Sequence, residues 1–148
     1  RQIMKHSILV LFAALVLSTS AAASAYAHCE IPCGIYDDKT RLSLIQEHIV
    51  TIEKSMNKIK ELEDGKNQNQ LIRWVMNKEE HATKLQTIVS QYFLTQRIKP
   101  GQENYEKKLA ALHMMLVNSM KCKQTVDLAN VEALKKSAKE FHDLYTHD

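Results

Sequence analysis

From Asp38 onward, apolar residues recur at spacings of three and four: Leu42, Ile45, Ile49, Ile52, Met56, Ile59 and Leu62. That period is the seam of an α-helix packed against its neighbours at a shallow angle. Asp37 or Asp38 can cap its start, and Asp64-Gly65 ends it with a residue that tolerates the left-handed conformation. A second periodic segment runs from about Asn69 to Leu94, with Leu71, Trp74, Val75, Ala82, Leu85, Ile88, Val89, Tyr92 and Phe93 on its seam. Lys99-Pro100-Gly101 breaks it. A third, from about Gln102 to Met120, carries Tyr105, Leu109, Leu112, Leu116 and Met120. The fourth starts near Asp127 or Asn130 and uses Leu128, Val131, Leu134, Ala138, Phe141 and Tyr145. No segment alternates as a strand would. Four helices on short connections predict an all-α fold, an antiparallel four-helix bundle over about 38–146.

Composition agrees. Three Gly and two Pro among 148 residues are too few for a turn-rich β fold. Net charge is +3, and Arg1 and Lys5 carry +2 of it, so the remainder holds only +1. With no basic stripe interleaved with aromatics, a nucleic-acid partner is not expected. Residues 1–27 are a separate object. Met4-Lys5-His6 is a positive start, Ser7 to Ser18 an apolar run, and Ala25-Tyr26-Ala27 a small-x-small cleavage pattern. Arg1-Gln2-Ile3 precede the start methionine. The run is short for a permanent bilayer span. A leader removed by a leader peptidase is therefore expected, with an exported, periplasmic product and no permanent membrane span.

Cleavage after Ala27 would make His28 the first residue and change the chemistry of His28-Cys29-Glu30-Ile31-Pro32-Cys33. The His28 α-amine, the Cys29 amide nitrogen and the Cys29 sulfur would close two fused five-membered chelate rings. Cys33 would supply a fourth donor as Pro32 turns the chain and Gly34 permits the turn. Two nitrogens and two sulfurs in a plane suit Ni(II) or Cu(II). Structural zinc wants four side-chain ligands in a tetrahedron, more than this arm offers. Thiolates reduce Cu(II), which favours nickel. The imidazole is left for an axial position, and the donor set as a whole stabilises a higher oxidation state, so the arm reads as a one-electron redox site. The competing reading is a Cys29–Cys33 disulfide, the commoner fate of paired cysteines in an exported chain. A cleavage site abutting His28, and a bundle whose core needs no staple at its N-terminus, weigh against it.

His28-Cys29-x-x-Pro32-Cys33-Gly34-x-Tyr36 resembles the nickel-binding hook of the nickel-containing superoxide dismutases. The resemblance covers everything from His28 onward: a hook over 28–36 and a four-helix domain, together 28–148. It implies disproportionation of superoxide to oxygen and hydrogen peroxide at one nickel ion per subunit, cycling between Ni(II) and Ni(III). It implies His28, Cys29 and Cys33 as ligands, and Tyr36 as the tyrosine over the open face of the metal, a proton donor for the product. It also implies a homohexamer, and its precursors allow a cytoplasmic location as well as an exported one. Family members that place a first-helix carboxylate behind the axial histidine would have it where this chain has Leu44, with Glu47 nearby. Tyr92-Phe93 matches an aromatic pair that approaches the hook.

The remaining candidates read as structural. Cys122 has no partner at a useful spacing, and His48, His81, His113, His142 and His147 fall at no ligand spacing. Glu79-Glu80-His81 is half of a di-metal carboxylate motif whose other half is missing. The alternative function is a non-enzymatic exported helical bundle, metal-binding or disulfide-stapled at its N-terminus.

Overall fold

A computed structural model describes residues 38–146. The hook, the leader and His147 lie outside the described residues. Within them the chain forms α1 (Asp38–Glu61), α2 (Gln68–Thr87), a π-helical continuation of α2 (Ile88–Arg97), α3 (Tyr105–Gln124) and α4 (Leu128–Thr146), and no strand. The helices close into a ring: α1 packs on α2, α2 on α3, α3 on α4 and α4 on α1.

The ends follow from local chemistry. Gly65 takes φ 71° after α1, in the left-handed region that glycine enters without a Cβ penalty. The Asn67 side chain accepts the Gln70 N–H at 3.3 Å and starts α2. Asp127 accepts the Ala129 N–H at 2.9 Å where α4 begins.

The core is the seam of α1 set against α2, α3 and α4. Leu42, Ile45, Ile49, Ile52, Met56 and Ile59 are all buried, as are Val131, Leu134, Ala138 and Phe141 of α4. The stripe on α3 is rotated from its predicted phase. Lys108, Ala111, Leu112, Met115, Asn118, Ser119 and Cys122 face inward, while Met120 is 44% exposed. The reason is polar: the Ser119 hydroxyl donates to the Ala82 carbonyl at 3.1 Å, and the Lys78 ammonium donates to the Cys122 carbonyl at 2.7 Å and to that of Lys123. A buried lysine on the last carbonyls of α3 satisfies groups a helix end leaves open and meets the negative end of its dipole. On α2, Val75 points outward and Trp74 is half-buried beneath Lys54, whose ammonium lies 5.9 Å from the indole centroid.

At one end the core is aromatic. Phe93 sits edge-on to Tyr92, Phe141 and Tyr145 at centroid separations of 5.2, 4.9 and 5.4 Å, and Phe141 stacks on Tyr145 at 5.2 Å. Phe93 is fully buried and is the common member of these contacts. Phe93→Ala is expected to cost about 3–5 kcal/mol through lost transfer energy and the cavity left behind. Urea denaturation followed by circular dichroism checks it, with the midpoint lowered and the slope unchanged.

Candidate metal centre

The expected ligands His28, Cys29 and Cys33, and the expected catalytic Tyr36, lie outside the described residues. The described residues begin at Asp38, just after the hook sequence. Asp38, two positions after Tyr36, opens α1, and its carboxylate gathers three side chains from two other elements. The Tyr92 hydroxyl donates to Oδ1; the Tyr145 hydroxyl donates to Oδ2 at 2.7 Å. Arg97 donates to Oδ2 through Nη2 at 2.7 Å and Nε at 3.1 Å, and its Nε also lies 3.3 Å from the Tyr145 oxygen.

The π register makes this possible. In an α-helix each residue turns the chain by about 100°, so positions five apart point some 140° away from each other. A helix bonded from residue i to i+5 closes its turn at five residues and brings such positions to one side. Tyr92 and Arg97 are five apart, and the Ile98 N–H bonds the Phe93 carbonyl at 3.0 Å in that register. Thr95 and Gln96 side chains donate to the carbonyls of Ser90 and Gln91, also five back, at 2.7 and 3.0 Å.

The electrostatics are one-sided. Burial pushes the Asp38 carboxyl up, but the bonds from Tyr92, Tyr145 and Arg97, with the charge of Arg97, outweigh it and hold the carboxyl below its ordinary value. Burial and the Asp38 contact push the Tyr145 phenol up to about 12, so it stays protonated at neutral pH. Burial likewise opposes the Arg97 charge, yet the bond to Asp38 raises its pKa further. Two more cations stand by the tyrosines: Arg41 with its guanidinium carbon 5.3 Å from the Tyr92 centroid, and Lys108 with its ammonium 5.8 Å from that of Tyr145.

Other residues singled out from sequence fall as follows. Leu44 lines a cavity of about 290 Å³ between α1 and α2, and Glu47 is exposed beside it. Cys122 is fully buried, and burial pushes its thiol up to about 11 against the pull of Lys78, so it is neither a thiolate nor a ligand. Glu79 pairs with Lys78 and Glu80 with Lys84, which disposes of the half di-metal motif. His113 and His142 are exposed. His48 and His81 are brought together, Nδ1 to Nδ1 at 3.0 Å, which no spacing announced across 33 positions.

Among the described residues no group of three or more His, Cys, Asp or Glu could hold a metal ion. In a chain starting at His28, the amine, the amide and the two thiolates of His28, Cys29 and Cys33 would fit nickel by donor chemistry. The Asp38 cluster yields a prediction of its own. Because the folded carboxyl titrates below its ordinary value of 3.8, its contribution to stability is complete above that pH and is lost as the pH falls through the folded value. Asp38→Asn should therefore destabilise by about 2–3 kcal/mol at pH 7. The gap to the unmodified protein should close in acid, as urea titrations at neutral and strongly acidic pH would record.

Searches of curated proteins and of solved structures gave no match. The family model described as nickel-containing superoxide dismutase matches residues 23–148, a span that takes in the hook sequence, the Asp38 cluster and all four helices. The chain therefore belongs to the nickel-containing superoxide dismutase family, oxidoreductases with a nickel cofactor.

Proposed function

We propose that the mature chain begins at His28 and disproportionates superoxide to oxygen and hydrogen peroxide at a nickel ion held by its own first residues. His28 would contribute its α-amine and imidazole, Cys29 its amide nitrogen and thiolate, and Cys33 its thiolate. When bound, the metal supplies one-electron chemistry by alternating between Ni(II) and Ni(III). The observation that carries this reading is the family match across 23–148, which includes His28-Cys29-x-x-Pro32-Cys33-Gly34-x-Tyr36. It does not favour a non-enzymatic bundle.

The chain's own groups take the remaining work. Tyr36, two residues before Asp38 in the sequence, would donate a proton to the product through its phenol. Arg41 over the Tyr92 ring and Arg97 on Asp38 add positive charge at that end of the bundle, which would attract a small anion. Export through removal of residues 1–27 exposes the His28 amine. The chain would assemble into a homohexamer, as the family resemblance implies, and Ile72, Val75 and Met76, exposed at positions that share one face of α2, would offer an apolar contact surface.

A chain starting at His28 is expected to bind one nickel per subunit and remove superoxide. One added residue before His28 turns the amine into an amide and should abolish both, as should Cys29→Ser or Cys33→Ser. Metal analysis and pulse-radiolysis rates give the answer. Full activity with the leader attached would sink the proposal.

A further inference from the structure

We propose that His48 of α1 and His81 of α2 form a second metal site, a two-imidazole clamp for an exchangeable divalent transition ion. It is separate from the hook sequence, since His48 stands about 15 Å along α1 from Asp38 at 1.5 Å per residue.

Geometry carries the assignment. The two Nδ1 atoms lie 3.0 Å apart, with the rings edge-on at 75° and 5.0 Å between centroids. Two imidazole nitrogens each about 2.1 Å from one ion stand about 3.0 Å apart at a right angle, and about 3.4 Å apart at the tetrahedral angle. The spacing observed across α1 and α2 is thus one that a single ion can bridge once both lone pairs turn towards it. Without the ion, one ring holds a proton on Nδ1 and the other a lone pair. The ion replaces that proton, which passes to the bare Nε2 of the same ring, so both imidazoles stay neutral and no net proton is released.

The surroundings suit a neutral pair, which is the form that binds metal. Burial is the main cause that lowers the His48 pKa, followed by the charge of His81; Lys84 of α2 acts the same way, and Glu47 of α1 opposes it. His48 is 7% exposed, yet it lines the cavity of about 290 Å³ that opens to solvent, and His81 is half-buried. Arg41 and Lys84 line the same cavity, but Glu80 holds the Lys84 ammonium at 2.6 Å and Glu47 adjoins His48, so two carboxylates offset the two cations. Among the described residues no third His, Cys, Asp or Glu completes a metal-binding group. Water therefore fills the remaining positions, and the ion exchanges more readily than a structural zinc with four protein ligands. Imidazole nitrogen suits zinc, nickel and copper, with Cu(II) held most tightly. The rings converge only in the folded chain, so a bound ion also stabilises the packing of α1 on α2.

Zn(II) is the probe, because it brings no redox chemistry to the thiols. Added to the mature chain already loaded with nickel, it should bind at one ion per subunit by calorimetry. Histidine NMR should show the His48 and His81 rings shifting together with that stoichiometry. His48→Gln and His81→Gln should each weaken binding by at least the roughly tenfold that even an outer partner of a metal ligand is worth. The rise in melting temperature that Zn(II) gives the unmodified protein should vanish in both. Lowering the pH from about 7.5 to about 5 should weaken binding as the imidazoles take up protons. No Zn(II) bound beyond the nickel, or undiminished binding in folded His81→Gln, would overturn the proposal. His81 is the nearer to solvent, so that variant decides the matter even where His48→Gln does not fold. If the chain takes no nickel, the functional proposal fails, while the difference in Zn(II) binding between the unmodified chain and His81→Gln still tests the pair.

Discussion

The Asp38 carboxylate is the point on which the end of the bundle next to the hook sequence depends. It belongs to α1, takes two donors from the π segment and one from α4, and so ties three elements together through one side chain. A carboxylate set among two phenols and a guanidinium is costly to bury alone and stabilising once all its partners are present. It also stands where the hook sequence runs into the bundle. A helix start frays unless something holds it, and Asp38 serves as a first-turn acid at the positive end of α1 as well as an ion-pair partner.

That arrangement would not exist in ordinary helical register. With α-helical bonding, Tyr92 and Arg97 could not both face Asp38 while Phe93 stays in the core. The π segment trades helical regularity for that coincidence, and side-chain donors of Thr95 and Gln96 satisfy carbonyls within it. Its cost is met by packing, since Ile88, Val89, Tyr92 and Phe93 are all buried. Distorted helical turns of this kind are frequent at functional sites, and here the effect is concrete: the distortion aims a tyrosine and an arginine at Asp38, the first residue of α1.

Much of this was legible in the sequence, and what was not has physical causes. The α1 and α4 seams read correctly because the buried faces of both helices are mainly apolar with a period near 3.6, His48, Ser55 and Ser137 being the polar members. The α3 stripe read out of phase because Lys108, Asn118 and Ser119 face inward, and a hydrophobic count assigns such residues to the surface. Val75 was placed on the α2 seam and is exposed for the complementary reason: apolar residues are also found outside. The π segment was invisible, since Leu94 to Arg97 carry no marker that separates a loosened turn from a helix end. The proposed metal ligands, by contrast, are a reading of short-range spacing alone, because the chemistry proposed for them is local: an amine, an amide and two thiolates within six residues. The Asp38 cluster and the His48–His81 pair unite residues 33 to 107 positions apart, and only tertiary packing brings them together.

Among the described residues, the fold keeps the sulfur of Cys122 inert. An enzyme that handles superoxide and releases peroxide exposes its own thiolates to oxidation, and the thiolate is the form that reacts. Cys29 and Cys33 would be shielded by the metal they bind. Cys122 has no metal, so its protection must come from elsewhere, and burial provides it: the side chain is inaccessible and its thiol is pushed up to about 11, leaving almost no thiolate at neutral pH. The nearby Lys78 ammonium pulls the other way and would promote thiolate if it dominated. Its hydrogens are directed instead at the carbonyls of Cys122 and Lys123, so the cation that could have activated the sulfur caps the helix that hides it.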